Sequence, residues 1–184
     1  MPPFVRKVRL PKLWNDQVIS LSVKGKIETI KAHILQSIEN DKELNSRIKL
    51  HYGTIILFEG ASKQEKTIAA SLLSKSVNLD LYRIDLSSVV SKYLGETEKN
   101  LEKIFDAAED GGAVLLFDEA DALFGKRTEV NDSHKRFANT DTSYLLQSIE
   151  NYEGIAILAT NRKENIDHAF LRRCAFIVHF PIDK

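Results

Sequence analysis

Cysteine is almost absent. Cys174 stands alone in 184 residues, so no disulfide can close within the chain. That fits a reducing, cytoplasmic setting. Proline is nearly as scarce, with three of the four falling within residues 1–23, a stretch without long periodicity that reads as an extended N-terminal arm. No apolar run approaches the ~18–20 residues of a membrane helix. Met1–Leu10 carries charge but no signal-peptide apolar core. An excess of one charge is missing too: 26 basic and 26 acidic side chains cancel, which removes any whole-chain attraction to nucleic acid or an anionic membrane. A local basic patch stays open. Internal repeats and low-complexity tracts are absent.

What is there suits one domain of moderate size. The length is close to the usual ~150 residues per domain, and 43% hydrophobic against 28% charged residues supports a packed core. Apolar residues at Ile27, Ile30, Ile34, Leu35 and Ile38 give Lys24–Ile48 a helical period. Then strands and helices alternate. Strands are expected at Thr54–Phe58, Leu81–Asp85, Val114–Phe117, Ile155–Ala159 and Phe176–Phe180, with helices at Thr67–Val77, Thr97–Ala108 and Thr142–Tyr152. Such alternation implies βαβ units, a parallel sheet and helices on both faces. Ligands of these sheets lie outside the carboxyl ends of the strands. The division expected is an arm over 1–23 and an α/β domain over 24–184.

After the first of these strands comes Gly60-Ala61-Ser62-Lys63-Gln64-Glu65-Lys66-Thr67. A phosphate-binding loop reads G-x-x-x-x-G-K-[ST]: its amides cradle phosphates, its lysine reaches the outer phosphates, and its hydroxyl holds Mg²⁺. Gly60, Lys66 and Thr67 are in place, but Glu65 stands where the second glycine belongs. Glycine serves where backbone must approach a ligand closely. A carboxylate adds bulk and a like charge, which at ~4 Å costs on the order of 1–4 kcal/mol depending on screening. Lys63 offsets part of that charge. The octamer taken alone fits an ordinary strand-loop-helix turn as well.

Leu115-Leu116-Phe117-Asp118-Glu119 is an apolar run ending in two carboxylates, the pattern of a buried parallel strand that delivers charge to its tip. By the usual roles Asp118 coordinates Mg²⁺ and Glu119 is the general base for a water. An acidic helix N-cap explains a lone pair equally well. The neighbouring strand ends in Ala159-Thr160-Asn161, whose amide could orient the same water or simply make a turn.

These segments, with Asp167-His168-Ala169-Phe170-Leu171-Arg172-Arg173, resemble the Walker B, first-sensor and arginine-finger segments of the AAA+ ATPases. Tyr93-Leu94-Gly95-Glu96-Thr97 is similar to their substrate-gripping pore loop, and Phe124–Val130 resembles a bacterial subgroup found with contractile phage-tail-like systems. The resemblance covers about residues 14–181. It implies a P-loop NTPase fold, an αβα sandwich with a five-stranded parallel sheet, and ATP with Mg²⁺ at residues 60–67, Thr67 and Asp118. Glu119, Asn161, Arg172 and Arg173 would be catalytic, the arginines reaching a neighbouring subunit's phosphate. Two surface arginines at a helix end are the plainer alternative. A finger in trans implies a ring, usually a hexamer. Tyr93, Leu94 and Gly95 would grip a protein substrate in its pore. Lys126–Arg136 reads as a second pore loop or a solvated connection. His134 has no partner at zinc spacing, and Cys174 reads as a small half-buried residue. The family's helical lid is not expected within this sequence.

Three functions follow. The first is the ATP-hydrolysing core of a ring-forming protein-remodelling ATPase. The second is a pseudo-ATPase docking or assembly subunit, weak in nucleotide because of Lys63 and Glu65. The third, disfavoured by balanced charge and the aromatic pore segment, is a DNA-acting relative.

Overall fold

A computed structural model describes residues 5–8, 19–42, 53–89, 96–109, 112–120, 133–161, 166 and 168–181. A sheet covered on both faces requires apolar side chains in near-continuous runs, because neither face meets water. Strands β2 (Thr54–Glu59), β4 (Ala113–Asp118) and β5 (Ile155–Thr160) meet that requirement, and only Glu59 among their residues is not buried. Successive side chains alternate between the two faces. Leu57, Phe117 and Leu158 enter one core, with Leu101 and Phe105 of α4 (Glu96–Glu109) and Leu145 and Ile149 of α5 (Ser133–Asn151). Phe58, Leu116 and Ile157 enter the other, with Ile30 and Ile34 of α1 (Leu21–Lys42) and Ile68 and Leu73 of α2 (Lys63–Ser76). The result is the expected three-layer α/β sandwich.

The sheet has six strands in the order β1-β3-β4-β5-β2-β6. The five expected strands, including β3 (Asp80–Asp85) and β6 (Phe176–His179), run parallel. The sixth, β1 (Val5–Lys7), pairs antiparallel with β3 and comes from the arm. Three residues are too few to show a period, so this edge strand leaves no mark in the sequence.

Helix α1 starts before the expected Lys24 because Ser20 caps it: the Val23 amide donates to Ser20 Oγ at 3.4 Å and the Lys24 amide to the Ser20 carbonyl at 3.0 Å. Its buried stripe is Val23, Ile27, Ile30 and Ile34, and Leu35 faces outward instead. Helix α5 begins well before Thr142, so Ser133–Arg136 of the polar segment is helical. Two short helices also occur among the described residues, α3 (Leu86–Val89) and α6 (His168–Leu171). Among the described residues no helix is long and apolar enough to cross a membrane. The register sets Asp85 beside Asp118 and Glu59 beside Thr160, which gathers four strand tips on one edge.

Candidate functional site

The chain leaves β2 through Gly60, whose φ is +139°. A Cβ there would lie 2.2 Å from the Phe180 carbonyl oxygen, so no other residue fits. The Gly60 amide donates to the Thr160 carbonyl at 3.1 Å, which fastens the loop to the tip of β5.

Helix α2 then begins at Lys63, not at the expected Thr67. The cause is local. Ser62 is extended (φ −78°, ψ 100°) and its Oγ accepts the Glu65 amide at 3.3 Å, while the Lys66 amide donates to the Ser62 carbonyl at 3.2 Å. Ser62 and Glu65 have the S-x-x-E spacing of a helix start, and a carboxylate in the first turn suits the helix dipole. Residues expected to arch around a phosphate are therefore wound into the helix. Glu65 lies in that first turn, its amide capped by Ser62 and its charge near the positive end of the helix dipole.

Lys66 is buried. Its ammonium donates to the Gly60 carbonyl at 2.7 Å, the Thr160 carbonyl at 3.1 Å and Asn161 Oδ1 at 2.8 Å. An ammonium has three protons, and these acceptors take all of them. Thr67 Oγ1 donates back to the Lys63 carbonyl at 3.0 Å.

At the tip of β4, Asp118 is 5% exposed and both of its oxygens are engaged. Oδ1 accepts the Glu119 amide at 2.9 Å. Oδ2 accepts Arg83 Nε at 2.9 Å and Arg83 Nη2 as well, and Lys63 Nζ lies 3.5 Å away. Glu119 takes a left-handed φ of 57°, uncommon for a residue with a Cβ. Its Oε1 accepts Lys63 Nζ at 2.6 Å. That hydrogen bond raises the Lys63 pKa above its ordinary value, against partial burial and the Arg83 charge. On the adjoining tip the Asp85 carboxylate accepts the Ser87 hydroxyl at 2.6 Å and the Ser87 amide at 3.1 Å, which holds its pKa below the ordinary range.

Lys66 is thus bonded to Asn161 at the tip of β5, while Asp118 and Glu119 stand at the neighbouring tip of β4 in contact with Arg83 and Lys63. Arg172 and Arg173 follow α6 on the exposed surface. Arg173 pairs within the chain with Glu150, while Arg172 has no ion pair among the described residues. Cys174 is half-buried, its thiol 3.7 Å from the Phe170 carbonyl. Tyr93, Leu94, Gly95 and Phe124–Val130 lie outside the described residues. Arg83 was not among the expected site residues. It lies partly buried in the middle of β3, between Tyr82 and Ile84.

Mg²⁺ does not fit this arrangement. Asp118 is already paired with the Arg83 guanidinium and the Glu119 amide, and Glu119 with the Lys63 ammonium, so a divalent ion would have to displace cations in contact with both acids. Thr67 Oγ1 donates to the Lys63 carbonyl, which leaves its oxygen able to coordinate. Among the described residues no group of three or more His, Cys, Asp or Glu could hold a metal ion.

Helices on both faces of a parallel sheet, with lysine and carboxylates gathered at its carboxyl edge, place the chain in the P-loop NTPase class. Residues 56–182 match the family described as ATPase family associated with various cellular activities (AAA), and the chain belongs to that family. It is 32% identical over 172 residues to cell division protein C of Sulfolobus acidocaldarius, covering 89% of this chain and 44% of that protein. It is 31% identical over 147 residues to the proteasome-activating nucleotidase of Methanoregula boonei, covering 76% and 34%. The chain therefore spans less than half the length of these relatives. The fold is also similar to a chain in the E. coli MS115-1 HORMA:CdnC:Trip13 complex, with a TM-score of 0.68 at 18% identity, covering 97% of this chain and 70% of that one.

Proposed function

We propose that this chain is the large α/β subdomain of a ring-forming, protein-remodelling AAA ATPase, seen in a closed resting form. The observation that carries this reading is that Lys66, bonded to Asn161, and the acids Asp118 and Glu119 stand at the tips of the adjacent strands β5 and β4. In the open form, ATP would lie along Gly60–Thr67 once the first turn of α2 unwinds. Arg172 would serve as the finger toward the next subunit of a hexamer; it is exposed, and a guanidinium forks well onto phosphate oxygens. Tyr93, Leu94 and Gly95 would contact the protein substrate. A relative named for proteasome activation supports work on proteins.

A second reading rests on a specific observation. The helix start at Lys63 and the Lys63–Glu119 contact close the loop. If that closure is permanent, the chain is a docking or assembly subunit that keeps the fold and binds nucleotide weakly.

A titration of ATP and ADP against this chain and its Lys63→Gly/Glu65→Gly variant separates the two. An openable site gives micromolar binding unaided, strengthened in the variant. A docking subunit gives none unaided and gains it only in the variant. If neither binds, the ATPase reading is refuted for this subdomain. In a full-length protein that turns over ATP, Glu119→Gln should abolish turnover and spare binding; unchanged turnover removes Glu119 from the role of base.

A further inference from the structure

Two acids and two bases meet at the tip of β4. Asp118 and Glu119 face Arg83 from the neighbouring strand and Lys63 from the first turn of α2. The four charges cancel within one contact network. Lys63 Nζ bridges both acids, 2.6 Å from Glu119 Oε1 and 3.5 Å from Asp118 Oδ2. The left-handed backbone at Glu119 and the early start of α2 bring the bridge together.

We propose that Lys63 and Arg83 are built-in counter-cations that neutralise Asp118 and Glu119 in place of a divalent metal ion, so that the closed site excludes Mg²⁺. The reason is geometric and electrostatic. A divalent ion entering between the acids meets an ammonium already in hydrogen-bond contact with one of them. It would have to displace that ammonium and compete with a forked guanidinium for the other. Carboxylates without such partners are hard oxygen donors that attract Mg²⁺ and Mn²⁺. Lys63 is 47% exposed and can swing away, whereas Arg83 is 30% exposed and grips a buried oxygen from the sheet itself. Lys63 is therefore the removable half of the seal, and Arg83 is a positioning residue for Asp118.

The seal rests on the closed form proposed for the site, and on nothing about nucleotide affinity. The probe is Mn²⁺ alone, followed by its electron paramagnetic resonance signal, against the full chain and Lys63→Met, with Lys63→Gln as a second replacement. Circular dichroism checks that each folds. The chain itself should bind Mn²⁺ only weakly. Either replacement should tighten binding by roughly tenfold or more, from loss of a like charge at contact distance. Adding Glu119→Gln to Lys63→Met should erase the gain, which ties the new site to this pair. If the unaltered chain binds Mn²⁺ as tightly as the replacements, or if neither replacement gains, the seal is refuted. A chain that ignores Mn²⁺ yet binds ATP in the presence of a chelator upholds the seal and refutes the docking reading. A chain that binds Mn²⁺ but no nucleotide does the reverse.

Discussion

Replacing Arg83 with methionine keeps an unbranched side chain in β3 and removes the guanidinium from Asp118. Asp118 is 5% exposed, so it would be left as a nearly buried charge with one partner fewer. Breaking a fully buried pair costs roughly 3–5 kcal/mol, while an exposed pair contributes about 0–1 kcal/mol. Arg83 is 30% exposed and Lys63 Nζ remains 3.5 Å from the same oxygen, which places this pair between those limits. The expected loss is about 2 kcal/mol, seen as a fall of roughly 4–8 °C in Tm for a domain of this size. Urea unfolding followed by circular dichroism reads the loss as a lower midpoint at an unchanged slope. Asp118→Asn and the double replacement complete a cycle whose coupling should be about 1 kcal/mol or more. Lys63→Met is the internal comparison. Its side chain is 47% exposed, so its loss should fall within about 1 kcal/mol. A result in which Arg83→Met costs no more than Lys63→Met, or in which the cycle shows no coupling, would mean that Arg83 does not hold Asp118.

Glu65→Gly should loosen the first turn of α2 by about 1–2 kcal/mol, from the lower helix propensity of glycine and the lost acid at the helix start. The Lys66 amide, bonded to the Ser62 carbonyl, should then exchange faster with deuterium; unchanged exchange would show that Glu65 does not set where the helix begins. Ser87→Ala should destabilise the chain at neutral pH through Asp85. A carboxyl whose folded pKa is depressed adds stability above its unfolded value, and that stability is lost as pH falls through the folded value. Urea midpoints of the chain and of Ser87→Ala should therefore differ near neutrality and converge as pH drops below the ordinary value of 3.8. A gap that persists in strong acid would assign the effect to packing and not to Asp85.

Much of the α/β frame is legible in the sequence. Val114–Phe117 and Ile155–Ala159 are uninterrupted apolar runs because both sheet faces are covered, and charged or polar residues mark where each run meets water. The same rule locates Asp118, Glu119 and Asn161 from residue order alone. The family's loop pattern is legible as well, yet it competes with another pattern in the same octamer. Gly60, Lys66 and Thr67 fit a phosphate loop, while Ser62 and Glu65 fit a helix start. The backbone follows the second, since an amide bonded to Ser62 Oγ and a carboxylate in the first turn both favour the helix.

The sequence by itself determined the five parallel strands, the longer helices packed on them, and the sheet edge at which the candidate acids and lysine fall. It could do so because burial writes period and run length into every segment on its own. Tertiary structure alone decided that Val5–Lys7 closes the edge of the sheet, that Lys66 holds Asn161, and that Lys63 and Arg83 meet Asp118 and Glu119. Those contacts join residues far apart in the chain. They depend on strand register, on where α2 begins and on the left-handed turn at Glu119, and no local pattern carries those three together.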